Sequence, residues 1–302
     1  MNDPDDTTRG DADATEVRAE PGELYVVATP IGNLRDVTLR ALDILRSADI
    51  LAAEDTRVTS TLLARYGITA RPRALHQHNE ARQLDALLAE LAAGRSVALV
   101  SDAGTPAVSD PGARLVRAAR AAGHRVVPIP GANALATAVS AAGLAAERFA
   151  FIGFLPTQAK ARRQCVAAIA QWPVALVFYE APHRVAATVD GLVDALDPQR
   201  TLVVARELTK RFETIASMPL RDAAAWLAAD ANRTRGELVL IVDAPVQPAA
   251  TSLDIDRLLA VLLEELPPSR AARVAAAASG ASRDELYARA LALQAKERPD
   301  DG

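Results

Sequence analysis

Cysteine is nearly absent from this chain, since Cys165 is the only one among 302 residues. A single cysteine excludes a disulfide framework and a CxxC metal or redox site. Histidine is scarce as well: there are four, and the two that are close in sequence, His76 and His78, lie in a predicted polar loop. Because zinc sites gather three or four such ligands, we predict no bound metal.

Long hydrophobic runs are also missing. No stretch approaches the roughly 18 consecutive apolar residues that a membrane-spanning helix needs. The first twenty residues are polar and acidic, without the apolar centre of a signal peptide. We therefore predict a cytoplasmic protein with no membrane partner, and we interpret residues 1–22 as a disordered tail.

Positive charge is not in excess and aromatic residues are few. The formal net charge is −4, and aromatic residues make up 4% of the chain. Proteins that bind nucleic acid without regard to sequence normally carry a basic balance, and an RNA-recognition-motif sheet needs aromatic side chains for stacking. Any RNA-binding surface of this chain must therefore be local.

Two familiar phosphate-binding loops are absent too. The sequence contains no GKS or GKT of a Walker loop, and the turn after the first predicted strand, TPIGN, has one glycine instead of the three in GxGxxG. The proline and glycine of that turn would still let the backbone approach a flat ligand closely. This turn alone does not distinguish a binding loop from an ordinary connection.

The most informative stretch is VALVSDAGTPAVSDPG, residues 97–112. Its first four residues are apolar, which predicts a strand buried on both faces. A loop of small residues with Asp102 and Gly104 follows. Asp110 and Pro111 then have the pattern of an N-cap and a first-turn proline, so we predict that a helix begins there.

Strand and helix patterns alternate throughout the first half of the chain, which predicts a parallel sheet covered by helices on both sides. Four predicted strands end in PIGN, EDTR, SDAGTP and PGAN. The carboxyl ends of parallel strands meet at one edge of a sheet, where α/β proteins bind their ligands. We therefore predict one ligand site at this edge, although an isolated carboxylate such as Asp102 is often only a turn former.

Four regions follow from these patterns. After the tail, residues 23–154 form an N-terminal α/β lobe with a parallel sheet, and residues 155–245 form a C-terminal α/β lobe with a mixed sheet. A linker rich in proline and alanine leads to residues 253–295, whose periodicity is purely helical. This all-helical extension is either a helix-turn-helix module that contacts RNA or a small bundle.

Seven segments carry a resemblance to a known family: TPIGNLRDVTLRAL, AAEDTR, LVSDAGTPAVSDPG, PIPGANA, FYEAPHR, ARELTKRFET and RGELVLIV. They closely resemble the ribosomal RNA small subunit methyltransferase I family, a branch of the tetrapyrrole-methylase-like superfamily. The resemblance runs from about Leu24 to Leu293. The porphyrinogen and precorrin methylases of this superfamily normally carry a GxGxGD-type first loop, where this chain has PIGN.

The resemblance implies an enzyme with two α/β lobes of the tetrapyrrole methylase type. It implies transfer of a methyl group from S-adenosyl-L-methionine to the 2′-hydroxyl of a cytidine ribose in the decoding region of 16S rRNA, on the small ribosomal subunit and by a homodimer. It also implies which residues bind the cofactor: Pro30, Asp102, Gly104, Asn133, Ala134, Tyr179 and Glu237.

A ribose hydroxyl is a weak acid, so a general base within hydrogen-bond reach would help the transfer. The family motifs offer Glu54, Asp55, Glu180 and Glu207, and we predict Glu54 and Asp55 as the catalytic pair. The alternative is that either of these two pairs with Arg57 or Arg206 to hold its loop. The predicted RNA contacts are Asn33, Arg57, His78, Asn79, Arg184, Arg206 and Lys210.

Two other functions remain open on the sequence. One is a small-molecule methyltransferase that acts on a tetrapyrrole, which would predict a larger apolar cleft and no helical extension. The other is a non-catalytic ribosome-assembly factor with a vestigial pocket. Intact SDAGTP and PGAN loops argue against the second.

Overall fold

The computed structural model describes residues 16–76, 80–245 and 255–296, with the side chains of 80–82 and 295–296 left aside. The predicted RNA contacts His78 and Asn79, and residues 1–15 of the predicted tail, lie outside the described residues. The chain forms two compact units, residues 1–245 and residues 246–302.

Strands and helices alternate over the first half of the larger unit, as the sequence predicts. The elements are β1 (Leu24–Val27), α1 (Leu39–Ser47), β2 (Ile50–Ala53), α2 (Thr56–Arg65), β3 (Arg73–Ala74), α3 (Glu80–Ala92), β4 (Val97–Val100), α4 (Ala113–Ala121), β5 (Val126–Ile129) and α5 (Ala134–Ala142). The strands form one parallel sheet in the order β3-β2-β4-β1-β5, which confirms the predicted parallel sheet.

Alternate residues of these strands enter two different hydrophobic cores. Tyr25 and Leu51 belong to the core under α1 and α2, whereas their neighbours Leu24 and Ile50 belong to the core under α3 and α4. Side chains of a strand point to opposite faces in turn, so a sheet with helices on both sides needs apolar residues at every position. This requirement explains the uninterrupted apolar runs in the sequence.

The second half of the larger unit builds a mixed sheet. Its elements are β6 (Phe149–Phe154), α6 (Ala159–Ile169), β7 (Ala175–Glu180), α7 (Val185–Ala195), β8 (Thr201–Arg206), β9 (Thr214–Pro219), α8 (Ala223–Ala228) and β10 (Leu238–Val242). The strand order is β6-β7-β10-β8-β9, with β6 and β7 parallel and the remaining pairs antiparallel. A mixed sheet is thus confirmed.

Strand β6 corrects one predicted boundary. The sequence analysis assigns residues up to 154 to the first lobe, but β6 hydrogen-bonds to β7 and is an edge strand of the second sheet. Helix α5 joins the two sheets, because Ala138 and Ala142 share a hydrophobic core with Val177 and Val203 of the second sheet. The chain therefore enters the second sheet before residue 155, the predicted start of the second lobe.

Two further expectations need correction. Residues 17–20 of the predicted tail are tied down: Ala19 N–H donates to Ser47 Oγ at 2.9 Å and Glu20 N–H donates to the Tyr25 hydroxyl at 2.8 Å. Helix α4 does not begin at Asp110, since its N-cap is Gly112, at φ 118°. Asp110 is consequently available for another role.

Gly112, the N-cap of α4, packs tightly against the core, and a substitution there tests this packing. A Cβ atom there would lie 2.5 Å from Leu99 Cδ2, and Leu99 is 1% exposed in a close-packed core. We expect Gly112→Ala to lower the free energy of unfolding by about 3 kcal/mol, from overpacking plus an unfavourable φ. Urea unfolding followed by circular dichroism measures this change.

The matched control is Gly123→Ala. Gly123 also has a positive φ, 85°, but among the described residues, apart from its two chain neighbours, no atom lies within 4 Å of a Cβ built there. It should cost only the backbone strain, about 1 kcal/mol. Equal losses in the two variants would contradict the steric argument.

The smaller unit contains three helices among its described residues: α9 (Ile255–Glu265), α10 (Pro268–Ser279) and α11 (Arg283–Lys296). They share a core of their own that includes Leu259, Ala275 and Leu286. Helix α10 ends at Gly280, whose φ of 71° is the left-handed conformation that glycine adopts without strain. None of the helices in the described part of the chain is long and apolar enough to span a bilayer.

Candidate active site

Hydrogen bonds join the four strand-end loops at one edge of the parallel sheet. The backbones of Thr29 and Gly104 exchange two hydrogen bonds, of 2.8 and 3.0 Å, and link the PIGN and SDAGTP loops. Asp102 Oδ1 accepts from Asp55 N–H at 2.8 Å, and Asn133 Nδ2 donates to Thr105 Oγ1 at 3.2 Å. The predicted convergence of these loops is therefore confirmed.

A cavity of about 430 Å³ lies between this edge and the second sheet, within the size range of small-molecule sites. Both sheets contribute to its lining: Ile31, Glu54, Asp102, Ala103, Gly104, Thr105, Val108, Asp110, Asn133 and Ala134 from the first, and Phe154, Tyr179, Glu180, Ala181, Pro182, Ala205, Leu208, Glu237, Leu238 and Val239 from the second. The small side chains leave room for a ligand, and the polar ones can orient it.

Three carboxylates of the first sheet face this cavity. Glu54 and Asp102 brace each other's loops, because Asp102 N–H donates to Glu54 Oε2 at 3.4 Å while Asp102 itself holds Asp55 N–H. Burial, and then the negative charges of Asp102 and Asp55, raise the pKa of Glu54. Burial, followed by the charge of Glu54, raises the pKa of Asp110 to about 6.

Asp55, the other predicted catalytic residue, has a structural role here. Its carboxylate caps helix α2 through Arg57 N–H at 2.8 Å and also pairs with the Arg57 guanidinium at 2.5 Å. Hydrogen bonds from Arg57 lower the pKa of Asp55 to about 2. Asp55 does not line the cavity, whereas Glu54 does. These contacts favour the loop-holding alternative for Asp55 and leave Glu54 as the stronger candidate base.

The other two candidate bases are also engaged. Glu180 is 2% exposed and accepts hydrogen bonds from Thr188 Oγ1 at 2.5 Å and from Ala181 N–H at 2.8 Å. Its carboxylate also lies 3.2 Å from Arg184 Nε. Glu207 lies 2.9 Å from Lys210 Nζ. Burial raises the pKa of Glu207. Hydrogen bonds from Lys210 and from Glu237 N–H, together with the positive charges of Lys210 and Arg206, outweigh burial, so the pKa is lowered overall.

The wall from the second sheet is aromatic at one end. Tyr179 accepts a hydrogen bond from Leu135 N–H at 3.0 Å, which ties the second sheet to the start of α5. Its ring meets Phe151 and Phe154 edge-on, with ring centroids 4.8 and 5.8 Å apart. Phe154 is 52% exposed, so it forms the rim of the cavity.

Six of the seven predicted cofactor residues line this one cavity: Asp102, Gly104, Asn133, Ala134, Tyr179 and Glu237. Pro30, the seventh, lines a smaller cavity of about 290 Å³ beside α2, which also reaches Asp102. That any of the seven contacts the cofactor stays a prediction.

The described RNA-contact candidates divide into two groups. Asn33 is exposed. Its side-chain oxygen accepts a hydrogen bond from Arg35 N–H, and its backbone N–H donates to Thr209 Oγ1 at 3.1 Å. The Arg57 side chain is 89% exposed although it pairs with Asp55. These two are accessible to a large substrate.

The second group is turned inward. Arg184 donates to Leu155 O and pairs with Glu180. Arg206 is 9% exposed and donates to Phe212 O at 2.9 Å. Lys210 Nζ lies 2.6 Å from Glu237 Oε2 as well as near Glu207. Binding a phosphate would require each to give up these partners, so their role in RNA binding stays a prediction.

Sequence reasoning missed Asp110 as a cavity residue. The position of Asp110 depends on an unusual backbone conformation. Ala107 and Ser109 both have φ 66°, in the left-handed region that L residues rarely adopt. These turns rotate Asp110 away from the helix start that its neighbour Pro111 suggests. No sequence pattern of Ala or Ser predicts such a backbone.

The fold and the position of the cavity define a class of protein. The family model described as Tetrapyrrole (Corrin/Porphyrin) Methylases matches residues 23–224. Among solved structures, the methyltransferase CobJ is 23% identical with a TM-score of 0.55, covering 74% of this chain and 94% of that one. Uroporphyrin-III C-methyl transferase from Thermus thermophilus, complexed with S-adenyl homocysteine, is 19% identical with a TM-score of 0.52, covering 73% and 97%.

Sequence relatives narrow this class to one family. The proteins named Ribosomal RNA small subunit methyltransferase I from Escherichia coli O157:H7 and from Xylella fastidiosa are 49% and 50% identical, covering 90% and 88% of this chain and 96% and 98% of the relatives. The family model for the RsmI C-terminal HTH domain matches residues 249–294. The chain belongs to the ribosomal RNA small subunit methyltransferase I family.

Proposed function

We propose that this chain transfers a methyl group from S-adenosyl-L-methionine to the 2′-hydroxyl of a cytidine ribose in the decoding region of 16S rRNA. The observation that carries the proposal is a small-residue, acidic cavity in a chain half identical to proteins named ribosomal RNA small subunit methyltransferase I. We further propose that it acts in the cytoplasm on the small ribosomal subunit, as a homodimer.

The lining of the cavity fits this cofactor. Gly104 has φ 79°, and a Cβ there would meet Ile31 Cγ2 at 3.4 Å, so glycine both permits the turn and keeps the wall flat. Ala103, Ala134 and Ala205 add further small surfaces for a nucleoside. Asn133 caps α5 and holds Thr105, which keeps both loops in position beside the ligand.

Bound S-adenosyl-L-methionine would supply an electrophilic methyl group on a sulfonium centre. The protein then mainly has to hold two reactants in line, which is where most of the rate enhancement of such a transfer arises. Loops joined by the Thr29–Gly104 and Asp102–Asp55 hydrogen bonds provide that rigidity.

Glu54 is the base that we propose for the ribose hydroxyl. It faces the cavity, it has no lysine or arginine bonded to its carboxylate among the described contacts, and burial raises its pKa. A raised pKa makes an ionised carboxylate a better proton acceptor. Asp55 does not line the cavity, and its hydrogen bonds with Arg57 lower its pKa.

For RNA, we propose two accessible surfaces. Asn33 and Arg57 lie near the cavity of about 290 Å³ that reaches Asp102, where a substrate nucleotide can approach the larger cavity. The helical unit, proposed to span residues 253–295, carries exposed Arg270, Arg273 and Arg283. Such side chains position a phosphate backbone without reading its sequence.

The proposal is tested by incubating the protein with methyl-labelled S-adenosyl-L-methionine and small ribosomal subunits from a strain that lacks the gene. We expect labelled 2′-O-methylcytidine, mapped to the decoding region by nuclease digestion and mass spectrometry. Label on a base, or no label in RNA, would contradict the proposed site. Label in a porphyrinogen offered in parallel would favour the small-molecule alternative.

A further inference from the structure

The charges around the larger cavity are of one sign. Its lining contains five acidic side chains and, in the part of the chain that the structure describes, no lysine, arginine or histidine: the acids are Glu54, Asp102, Asp110, Glu180 and Glu237. Two of them form ion pairs with basic residues that are not part of the lining, Glu180 with Arg184 and Glu237 with Lys210. The remaining three are grouped on the first-sheet side.

The partners of these three carboxylates are mainly neutral. Glu54 accepts from Asp102 N–H, Asp102 accepts from Asp55 N–H, and Asp110 accepts a hydrogen bond from Ser101. The charged groups that act on them are each other, Asp55 and His76 beside Glu54, and Arg57 beyond Asp102. A negative potential is therefore concentrated on this side of the cavity, where low-dielectric walls strengthen it.

The backbone that leads to Asp110 is strained. Ala107 and Ser109, one on each side of Val108, both adopt φ 66°, and the helix that Asp110 could have capped begins instead at Gly112 without a side-chain cap. Non-glycine residues in this conformation persist where the surrounding structure enforces them, often at functional sites. The result is a half-buried carboxylate in the cavity wall.

We propose that Asp110, together with Glu54, recognises the positive charge of the methyl donor, so that the cavity retains S-adenosyl-L-methionine and releases S-adenosylhomocysteine. The inference rests on the proposed function, because it assumes that the cavity holds this cofactor. The donor carries a sulfonium, an ammonium and a carboxylate, for a net charge of +1. Methyl transfer removes the sulfonium charge and leaves a neutral product of almost the same shape.

Shape alone separates two ligands that differ by one methyl group only weakly. A partly buried charge pair adds discrimination, because attraction between the carboxylates and the cation exists for the donor and is largely lost for the product. We expect the protein to bind the donor at least about tenfold more tightly than the product at pH 7.5.

The discrimination should depend on pH. The groups facing Asp110 are Glu54 at the end of β2, Asp102 at the end of β4 and Tyr179 on β7. Since the pKa of Asp110 is raised to about 6, protonation below that pH removes one negative charge from the wall. Affinity for the donor should then fall between pH 7.5 and 5.5, while affinity for the product changes little.

The experiment is isothermal titration calorimetry with S-adenosyl-L-methionine and with S-adenosylhomocysteine at pH 7.5 and pH 5.5. It compares the wild-type protein with Asp110→Asn, which keeps the size and hydrogen bonding of the side chain. At pH 7.5 we expect Asp110→Asn to weaken donor binding about tenfold and product binding less than twofold, so the preference collapses. Asp190→Asn, which removes an exposed carboxylate on α7, should change neither affinity.

Equal affinities of the wild-type protein for both ligands, or equal losses for both in Asp110→Asn, would overturn the inference. The wild-type ratio and its pH dependence decide the question even if the variant is unstable. The proposed function fails separately: it is lost if the wild-type protein binds neither ligand or methylates no RNA, whatever the ratio.

Discussion

Glu54→Gln is expected to lower kcat for rRNA methylation by about 10²- to 10³-fold at saturating S-adenosyl-L-methionine, which lies within the range that a general base typically contributes. The glutamine keeps the acceptor for Asp102 N–H but cannot take a proton from the ribose. Saturating cofactor is needed because the same carboxylate is proposed to help bind it. Single-turnover assays on isolated small subunits measure the chemical step directly.

Asp55→Asn is the matched control. Asparagine is a good N-cap, so α2 keeps its start, and Asp55 does not line the cavity. We expect a change of less than about threefold in kcat, since no proton passes through this side chain. The reverse ranking, with Asp55→Asn the more damaging, would show that our assignment of the base is wrong.

The pH dependence of kcat gives the same test a second readout. Glu54 must be ionised to accept a proton, and burial raises its pKa above the ordinary value of 4.5. Activity of the wild-type enzyme should therefore decline on acidification at a higher pH than an ordinary glutamate would cause. In Glu54→Gln the residual rate should lose this inflection.

A chain that ends at Pro245 is expected to bind S-adenosyl-L-methionine as the whole protein does but to methylate small subunits at least about 100-fold less efficiently, measured as kcat/KM. Residues 1–245 form one compact unit that contains the entire cavity lining. The smaller unit has a hydrophobic core of its own. Lost cofactor binding in the truncated chain would contradict this division.

A charge-reversal variant tests the same division without deletion. Arg270, Arg273 and Arg283 are exposed, and changing all three to Glu should lower affinity for the subunit and reduce its salt dependence. Arg289 serves as the control because it lies 3.2 Å from Asp256 and its charge is already paired. Arg289→Ala should have a much smaller effect on both readouts.

Local patterns predicted the elements well because each depends on neighbours in the chain. Continuous apolar runs such as residues 97–100 predicted strands buried on both faces. The convergence of four loops also followed, since parallel strands with crossover helices must end at one edge. The resemblance to a family added the cofactor and the residues around the cavity.

Ionic partners were harder to predict. Arg184, Arg206 and Lys210 have the composition of an RNA-binding surface, but each also donates to an acceptor that is distant in sequence: Leu155 O, Arg235 O and the Glu237 carboxylate, respectively. The planar guanidinium of an arginine gains most where its fixed donors meet a buried acceptor, and such contacts depend on how the second sheet folds back. Sequence alone cannot distinguish these positions from exposed ones.

By itself, the sequence determined the two-sheet α/β architecture, the helical unit that follows it, the sheet edge at which the four loops converge and the family of the chain. These properties follow from hydrophobic periodicity and from motifs that are contiguous. Only the tertiary structure decided which carboxylates face the cavity: Asp55 is held by Arg57, whereas the left-handed turns at Ala107 and Ser109 bring Asp110 beside Glu54. The physical reason is that the charge and pKa of a carboxylate depend on burial and on partners that meet only in three dimensions.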